Sequence, residues 1–135
     1  MEAISEALAL EVKQHGVRVA IIEPGLFETP LIDKSVGTLA ADESSPYAHV
    51  ARRIGGIYMA GRAVNPDVEV VAAAIEHAIT TDQPRLRYLV GIDAQPFVDG
   101  RARMTDEVYV EAFGRAQTDD EFFTEFAARF PLPSA

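Results

Sequence analysis

The residues best suited to contact a ligand are Pro24, Gly25 and Thr29, which follow an apolar, strand-forming run from Val17 to Ile22. Proline has no N–H to donate to a sheet, and glycine permits close backbone approach, so the pair is expected to end a buried strand and leave free backbone groups beyond it. Thr29 adds a hydroxyl group four residues after the glycine. Because ligands bind at the carboxyl ends of strands in open α/β sheets, this loop is predicted to contact a ligand.

Side chains that could bind a metal or transfer a proton are sparse. His15, His49 and His77 lie far apart and match no His-x-x-x-His spacing, so we interpret them as solvated or helix-end residues and predict no metal site. No serine sits in a Gly-x-Ser-x-Gly elbow and the chain has no cysteine, which argues against a hydrolase. Tyr58 and Arg62 have the spacing of an acid–base pair, but a guanidinium does not lose its proton, and we interpret them as packing residues.

Two charged clusters have simple interpretations. Arg52 and Arg53 could touch a cofactor phosphate, although a solvated helix face is favoured because arginine side chains are mostly exposed. The acidic run of residues 119–121 is interpreted as a favourable charge cluster at the start of a helix. Neither cluster defines a catalytic site.

The composition narrows the possible partners. The chain has 135 residues, with 12 basic and 21 acidic side chains and a net charge of −9, which opposes nucleic acids and anionic membrane surfaces. The lack of cysteine weakly favours the cytoplasm. The longest apolar run, Val70 to Ile75, is too short to span a bilayer, and the first residues lack signal-peptide character. A cytoplasmic protein without nucleic-acid or membrane partners is therefore expected.

A helix is predicted ahead of the first strand, because Ile4, Leu8 and Val12 recur at helical spacing. Gly16 follows the last turn, as glycine commonly does at a helix end, and the strand starts at once. This order is the second half of a β-α-β unit. Met1 lies inside the periodic pattern with no capping residue before it, so the chain is expected to begin inside a longer structural unit.

The next block, residues 31–64, is mixed, because glycine and proline recur in it and break any long periodicity. These interrupting residues are Gly37, Pro46, Gly55, Gly56 and Gly61. A further helix is predicted to begin with Asn65 as its N-cap and Pro66 as its first residue. It leads to a short strand from Leu86 to Val90, which is expected to lie beside the first strand and parallel to it.

The last part of the chain, residues 96–135, is predicted to hold two helices. The first runs from about Thr105 to Phe113, and the second starts with a capping box formed by Thr118 and Glu121. Phenylalanines at positions 122, 126 and 130 recur at helical spacing and share one face of that second helix.

These segments, in this order, resemble the short-chain dehydrogenase/reductase superfamily from just after its catalytic Tyr-x-x-x-Lys motif. The similar segments are the helix Glu2–Val12, the strand start Gly16–Val19, the turn Glu23–Gly25 with Thr29, the helix start Asn65–Val68 and the strand Arg87–Ala94. The resemblance covers residues 1 to about 95 well and the remainder loosely. It implies an α/β fold, a partial Rossmann-like doubly wound parallel sheet consisting of the last two strands with flanking helices and a lid.

The resemblance also implies an organisation for the chain. Residues 1–30 supply a helix, a strand and the Pro-Gly loop, and residues 31–64 a substrate lid of short helices. Residues 65–95 supply a crossover helix with the last strand, and residues 96–135 the C-terminal helices.

The family's main catalytic motifs are not found in this sequence. They are the glycine-rich Gly-x-x-x-Gly-x-Gly turn, the Asn-Ala-Gly segment, and the catalytic Ser, Tyr and Lys. The chain has only two lysines, Lys13 and Lys34, and they follow Ala9 and Pro30 by four residues, so no Tyr-x-x-x-Lys motif is possible. We assign no catalytic residue to this chain and expect it to be inactive alone.

By resemblance, the backbone around Pro24, Gly25 and Phe27 and the hydroxyl group of Thr29 face the nicotinamide of NAD or NADP and its carboxamide. An alternative for Thr29 is an N-cap for a helix that starts at Pro30. The implied substrate-lid residues are Leu31, Tyr47, Ile54 and Tyr58, and the apolar underside is completed by Val36, Leu39, Val50, Ile57 and Met59. This underside could equally pack on the sheet.

The implied activity is that of an NAD- or NADP-dependent oxidoreductase that interconverts an alcohol and a carbonyl on a small-molecule substrate, in a homo-oligomer. Tight cofactor binding is not expected of this chain alone, because the turn that cradles the cofactor phosphates is not in it. The alternative is a non-catalytic association module or a gene fragment. The substrate stays open because the lid is the variable part of the family, and so does the choice between NAD and NADP.

Overall fold

The structure is a computed structural model in which residues 1–31, 34, 43–65 and 67–132 are described. In chain order its elements are helix α1 (Glu2–Val12) with a 3₁₀ turn (Lys13–His15), strand β1 (Ile21–Pro24), helices α2 (Ala48–Val64) and α3 (Glu69–Thr80), strand β2 (Arg87–Val90), and helices α4 (Ala94–Ala102), α5 (Asp106–Gly114) and α6 (Asp119–Arg129). Pro30, Leu31 and Lys34 are also helical. The predicted α/β class is confirmed.

The two strands form a parallel sheet, as predicted for strands joined by a helical crossover. Ile21 pairs with Arg87, and Pro24 with Val90. Both strands therefore end at the same edge, where the N–H of Gly25 donates to the carbonyl of Val90 at 2.8 Å. This partial Rossmann-like architecture brings the Pro-Gly loop beside the loop that follows β2.

Strand β1 is shorter than predicted, since it starts at Ile21 and the apolar run predicts a start at Val17. Its partner β2 offers only four residues for pairing, so the upstream part of the run has no strand opposite it among the described residues. There, the Arg18 guanidinium donates to the carbonyls of Ile79 and Thr81, at 2.9 and 2.8 Å. The start of the run contacts the end of α3 and does not extend the sheet.

Helix α1 forms as predicted, and Gly16 ends the following turn with a left-handed backbone, φ 72°, which glycine adopts without steric cost. No residue of α1 is buried. On its apolar face, Ile4 is 70% exposed and Leu8 46%. This face lacks a covering element in the described part of the chain.

Helix α2 contradicts the prediction of short helices, because it runs unbroken from Ala48 to Val64. Its glycines permit close packing. A Cβ atom on Gly56 would lie 2.4 Å from the ring of Phe123, and one on Gly61 would lie 2.5 Å from the Cβ of Leu26. Glycine costs about 1 kcal/mol of helix stability relative to alanine. At both positions a neighbouring side chain occupies the space that a Cβ atom would fill, so glycine is needed despite its lower helix propensity.

Helix α3 begins at Glu69, three residues after the predicted first helical residue, and the Asp67 carboxylate accepts from the N–H of Glu69 at 2.9 Å. The prediction that Asn65 caps this helix is therefore wrong. Its side chain makes a different set of hydrogen bonds, which belong to the candidate site. Pro66, the predicted first helical residue, lies outside the described residues.

Three described helices follow β2, and only two of them, α5 and α6, are predicted. The capping box of α6 is confirmed, since Thr118 and Glu121 each accept a hydrogen bond from the backbone N–H of the other. The sequence does not indicate α4 because Pro96 and Gly100 interrupt its pattern. Pro96 lies in the first turn, where backbone N–H groups have no acceptor within the helix, so a residue without an N–H is tolerated there. Gly100 makes room for the ring of Phe130, 2.4 Å from where a Cβ would lie.

The core has two parts. Phe27, Tyr88 and Val90 are buried at the sheet. A second, aromatic cluster joins α4, α5 and α6, with ring centroids 4.8 to 6.1 Å apart, in a range where each pair adds about 0.5–1.5 kcal/mol beyond area burial. Its members are Phe97, Phe113, Phe122, Phe126 and Phe130. Helix α2 lies against α6 and so closes this cluster.

Candidate functional site

The Pro-Gly loop lies at the carboxyl end of β1, where the sequence predicts it. Pro24 is the last residue of the strand, and Gly25 is still tied to β2 through Val90. The next N–H, of Leu26, donates to the Oδ2 atom of Asp93 at 2.9 Å. Phe27 is buried, with its ring about 3 Å from where a Cβ on Gly91 would lie. The loop is therefore held against the segment after β2.

Asp93 and Asn65 are the polar residues that hold the loop, and the sequence does not predict this role for either. Asp93 is fully buried, and its Oδ1 atom accepts from the Nδ2 of Asn65 at 2.6 Å. Asn65, also buried, accepts at its Oδ1 from the N–H of Ile92 at 2.8 Å. In the sequence, the role of Asp93 is indicated only by its position as a polar residue just after an apolar strand. Asn65 has the type and position of a helix N-cap, which conceals its role in holding the loop.

Two glycines allow the carboxylate to approach the loop. A Cβ on Gly25 would lie 1.7 Å from the Oδ1 of Asp93, and a Cβ on Gly61 would lie 3.0 Å from its Oδ2. The close approach that Gly25 permits is therefore the approach of the Asp93 carboxylate to the loop backbone.

Thr29 is half-buried and directly precedes the helical residue Pro30. Among the described residues, no hydrogen bond uses the Thr29 hydroxyl group or the Phe27 backbone. The position suits both alternatives, a contact to the nicotinamide carboxamide and an N-cap. Residue 32, whose N–H such a cap could bind, lies outside the described residues. The cofactor role of Pro24, Gly25, Phe27 and Thr29 stays a prediction.

A cleft of about 300 Å³, the loop cleft, adjoins the Pro-Gly loop. It is lined by Pro24, Gly25, Leu26, Ile57, Tyr58, Ala94 and Phe97, among others. The structure thus places the predicted lid residue Tyr58 next to the loop. Four residues further along α2, Arg62 pairs with Glu28 of the loop at 2.5 Å.

Other predicted lid residues lie elsewhere. Leu31 and Tyr47 are each 72% exposed and do not line the loop cleft. Ile54 lines a separate cavity of about 480 Å³ between α2 and the C-terminal helices. Val36 and Leu39 lie outside the described residues.

This second space, the aromatic cavity, is lined mainly by apolar and aromatic side chains, namely Val50, Ile54, Ile57, Phe97, Tyr109, Phe113, Phe122, Phe126 and Phe130, with Arg53 and Arg101. The guanidinium carbon of Arg53 lies 4.8 Å from the centroid of the Phe122 ring, and that of Arg101 lies 4.7 Å from the centroid of the Tyr109 ring. Ile57 and Phe97 line both the aromatic cavity and the loop cleft.

The expectation that Arg53 is solvated is wrong. Arg53 is 5% exposed, lies on the Phe122 ring and donates to Asp119 at 2.9 Å. Arg52 is exposed, as expected, and pairs with the same carboxylate at 3.2 Å. The hydrogen bond from Arg53 lowers the pKa of Asp119. Because the Arg53 charge is used within the fold, it is not free to hold a phosphate.

Neither a metal site nor a membrane-spanning helix is found among the described residues. No group of three or more histidine, cysteine, aspartate or glutamate side chains there could hold a metal ion. No described helix is long and apolar enough to cross a membrane. Each buried polar side-chain atom in the described part of the chain has a hydrogen-bond partner.

Comparison with curated proteins gives several relatives. The chain is 35% identical to "Retinol dehydrogenase 5" of Homo sapiens over 70% of its own length, and 31% identical over 72% to both "Dehydrogenase/reductase SDR family member 9" of Bos taurus and "17-beta-hydroxysteroid dehydrogenase type 6" of Rattus norvegicus. In each case the match spans 34% of the relative, so the chain spans about a third of the length of the curated relatives it matches. No protein-family model matches the chain. No solved structure matches it either.

Proposed function

The chain is related in sequence to the short-chain dehydrogenase/reductase superfamily, and on that premise we propose that the complete protein is a nicotinamide-dependent oxidoreductase that interconverts an alcohol and a carbonyl. In this proposal the cofactor, NAD or NADP, supplies or accepts the hydride. The residues of this chain bind and orient the reactants. The proton-transfer residues lie in the part of the complete protein that this chain does not contain.

One observation carries the proposal most directly: the Pro-Gly loop lies where both parallel strands end and has uncommitted polar groups. The Phe27 backbone and the Thr29 hydroxyl group are unused by hydrogen bonds between described residues. A nicotinamide carboxamide needs both donors and acceptors, which a hydroxyl group and backbone groups provide. We assign the backbone of residues 24, 25 and 27 and the hydroxyl group of Thr29 to that contact.

The substrate class follows from the two spaces beside α2, which this proposal makes the lid helix. In the proposal, the reacting end of the substrate lies in the loop cleft beside Tyr58, and the rest extends past Ile57 and Phe97 into the aromatic cavity. A cavity lined by rings favours an apolar, ring-bearing or polyene body. The names of two of the relatives refer to retinol and to a hydroxysteroid, which are alcohols with such bodies.

The test uses the complete protein. We expect NAD(H) or NADP(H) to be consumed with retinol or with a hydroxysteroid, and cofactor titration to shift the ¹⁵N amide resonances of residues 25–29. Ethanol, which cannot reach the aromatic cavity while it reacts, should be a far poorer substrate. Absence of turnover with every apolar alcohol and aldehyde tried, together with unshifted loop resonances, would reject the proposal.

A second candidate function, association without catalysis, is favoured by a different observation. The apolar face of α1 is open, with Ile4 and Leu8 both substantially exposed. Cofactor titration of the complete protein separates the candidates, because an association module would leave the loop resonances unchanged. A cytoplasmic location and a homo-oligomeric state are further parts of the proposal, and they rest on the charge balance and on the resemblance alone.

A further inference from the structure

Asp93 is unusual among the described residues because its carboxylate is fully buried and pairs with no lysine or arginine of that part of the chain. Burying a carboxylate is costly unless its oxygens are well hydrogen-bonded. Here the partners are neutral, the N–H of Leu26 at 2.9 Å and the amide of Asn65 at 2.6 Å. The buried carboxyl group therefore holds one specific backbone N–H in the loop, that of Leu26.

Asn65 links the same loop to two other segments. Its Oδ1 atom holds the N–H of Ile92 at 2.8 Å, after β2. Its Nδ2 group also lies 3.4 Å from the carbonyl of Leu26 and 3.3 Å from that of Gly61 in α2. One amide thus ties the end of the lid helix, the Pro-Gly loop and the segment after β2 together.

Gly25 and Gly61 leave the space that the Asp93 carboxylate occupies. Either Cβ would collide with or crowd the Asp93 carboxylate, at 1.7 and 3.0 Å. The loop backbone therefore packs directly on Asp93 at Gly25 and Leu26, within the segment assigned to the cofactor.

We propose that Asp93 and Asn65 are positioning residues that hold the Pro-Gly loop in its nicotinamide-binding conformation. The inference rests on the proposed function. A loop that is already in its bound conformation loses less entropy on binding, so releasing it weakens the nicotinamide contact. Binding of the adenosine end of the cofactor does not depend on this loop and serves as the internal reference.

The test compares Asp93→Asn with the unmodified complete protein. An asparagine has the shape of aspartate but turns one acceptor into a donor, which must then face either the Leu26 N–H or the Asn65 amide. We expect the dissociation constant of NAD(P)H to rise about tenfold. The dissociation constant of ADP-ribose, or of its 2′-phosphate, should stay within about twofold of the unmodified value, because it lacks the nicotinamide. In the 135-residue chain, exchange of the Leu26 amide hydrogen should speed up.

Asp99→Asn is the matched control. Asp99 lies in α4, is half-exposed, and accepts from Gln95 at 2.7 Å, away from the loop. It should change neither dissociation constant. Should Asp93→Asn fail to fold, Asn65→Ala carries the test, with a weakening of NAD(P)H binding by about threefold and ADP-ribose binding unchanged.

Two other results are distinguishable. Equal weakening of both ligands, or weakening of neither, in a folded variant would overturn the positioning role while the proposed function stands. If the unmodified complete protein binds neither ligand, the proposed function fails and this inference falls with it.

Discussion

At the scale of single residues, Thr29 offers the sharpest test of the loop. If its hydroxyl group hydrogen-bonds the nicotinamide carboxamide, Thr29→Ala should weaken cofactor binding to the complete protein by roughly 0.5–1.5 kcal/mol, about two- to tenfold in affinity. Thr29→Val, which keeps the shape and removes the hydroxyl group, should do the same. The measurement is cofactor titration by calorimetry, together with the melting temperature of each variant.

The helix-cap alternative for Thr29 predicts a different pattern. Thr29→Ala should then lower stability by about 1 kcal/mol, while Thr29→Ser and Thr29→Asp preserve it, because serine and aspartate also cap helices. The cofactor dissociation constant should barely move. An unchanged constant in Thr29→Ala would reject the cofactor contact assigned to this hydroxyl group.

Asp119 and Glu121 predict the acid sensitivity of the start of α6, where Asp119 also joins that helix to α2. The hydrogen bond from Arg53 lowers the pKa of Asp119, and the backbone N–H of Thr118 lowers that of Glu121. A carboxylate with a lowered pKa in the folded state stabilises the fold above its unfolded pKa, and this contribution is lost as the pH falls through the folded pKa. Stability should therefore fall between about pH 5 and about pH 2, as these groups take up protons.

The check is a series of melting temperatures against pH for the unmodified chain, Asp119→Asn and Asp120→Asn. The unmodified chain should be more stable than Asp119→Asn at pH 7, and the gap should close at low pH. Asp120 is the control, because it starts the same helix but makes no ion pair with Arg52 or Arg53. A gap that stays constant from pH 7 to about pH 2 would contradict the role given to the Asp119 charge.

At the scale of secondary-structure elements, packing of α4 against the chain segment around Phe130 depends on Gly100. A Cβ there would lie 2.6 Å from the carbonyl oxygen of Arg129 and 2.4 Å from the buried Phe130 ring. Overpacking of this kind costs about 1–3 kcal/mol, which exceeds the gain of about 1 kcal/mol in helix propensity. Gly100→Ala should therefore destabilise the chain in urea unfolding.

Gly114→Ala is the matched control, since Gly114 also lies in a helix and a Cβ on it would meet nothing within 4 Å. Only the propensity term then applies, and stability should be unchanged or rise by up to about 1 kcal/mol. Equal responses of the two variants would show that α4 is not packed as closely as the structure has it.

The same elements show what the sequence could predict. Parallel pairing of β1 with β2 follows from apolar runs joined by a helical crossover, and the α6 start follows from its capping box. These features are local or follow general rules of connection. The length of β1 could not be predicted, because it depends on how many residues β2 offers opposite it.

Glycine and asparagine misled the prediction for a shared physical reason. Gly56, Gly61 and Gly100 look like helix breakers, but each is small because a distant residue packs on it. Asn65 has the type and position of a helix cap, but it binds Asp93, 28 residues away. Long-range partners of this kind leave no periodicity in a single sequence. The loop could be located from the sequence, and the residues that hold it could not.

At the scale of the whole molecule, the chain alone should not perform the proposed reaction. It contains neither the glycine-rich turn that cradles the cofactor phosphates nor a Tyr-x-x-x-Lys pair. We expect no alcohol dehydrogenase or carbonyl reductase turnover from the 135-residue chain, and no NAD(P)H binding at millimolar or better affinity. Stoichiometric micromolar binding in a calorimetric titration would contradict this.

The exposed surfaces of the chain predict that it self-associates. In the described part of the chain β1 pairs only with β2, so one row of its N–H and C=O groups has no strand partner. The open α1 face adds the exposed side chains of Ile4 and Leu8, and Leu10, elsewhere on the same helix, is 83% exposed. Light scattering at tens of micromolar should report oligomers or precipitation. A double variant, Ile4→Lys with Leu8→Lys, should reduce association through its charges on the apolar face. Asp82→Lys, which changes the net charge by the same amount at an exposed loop position away from α1, should not. A stable monomer with a cooperative thermal transition would show that the chain covers these surfaces itself.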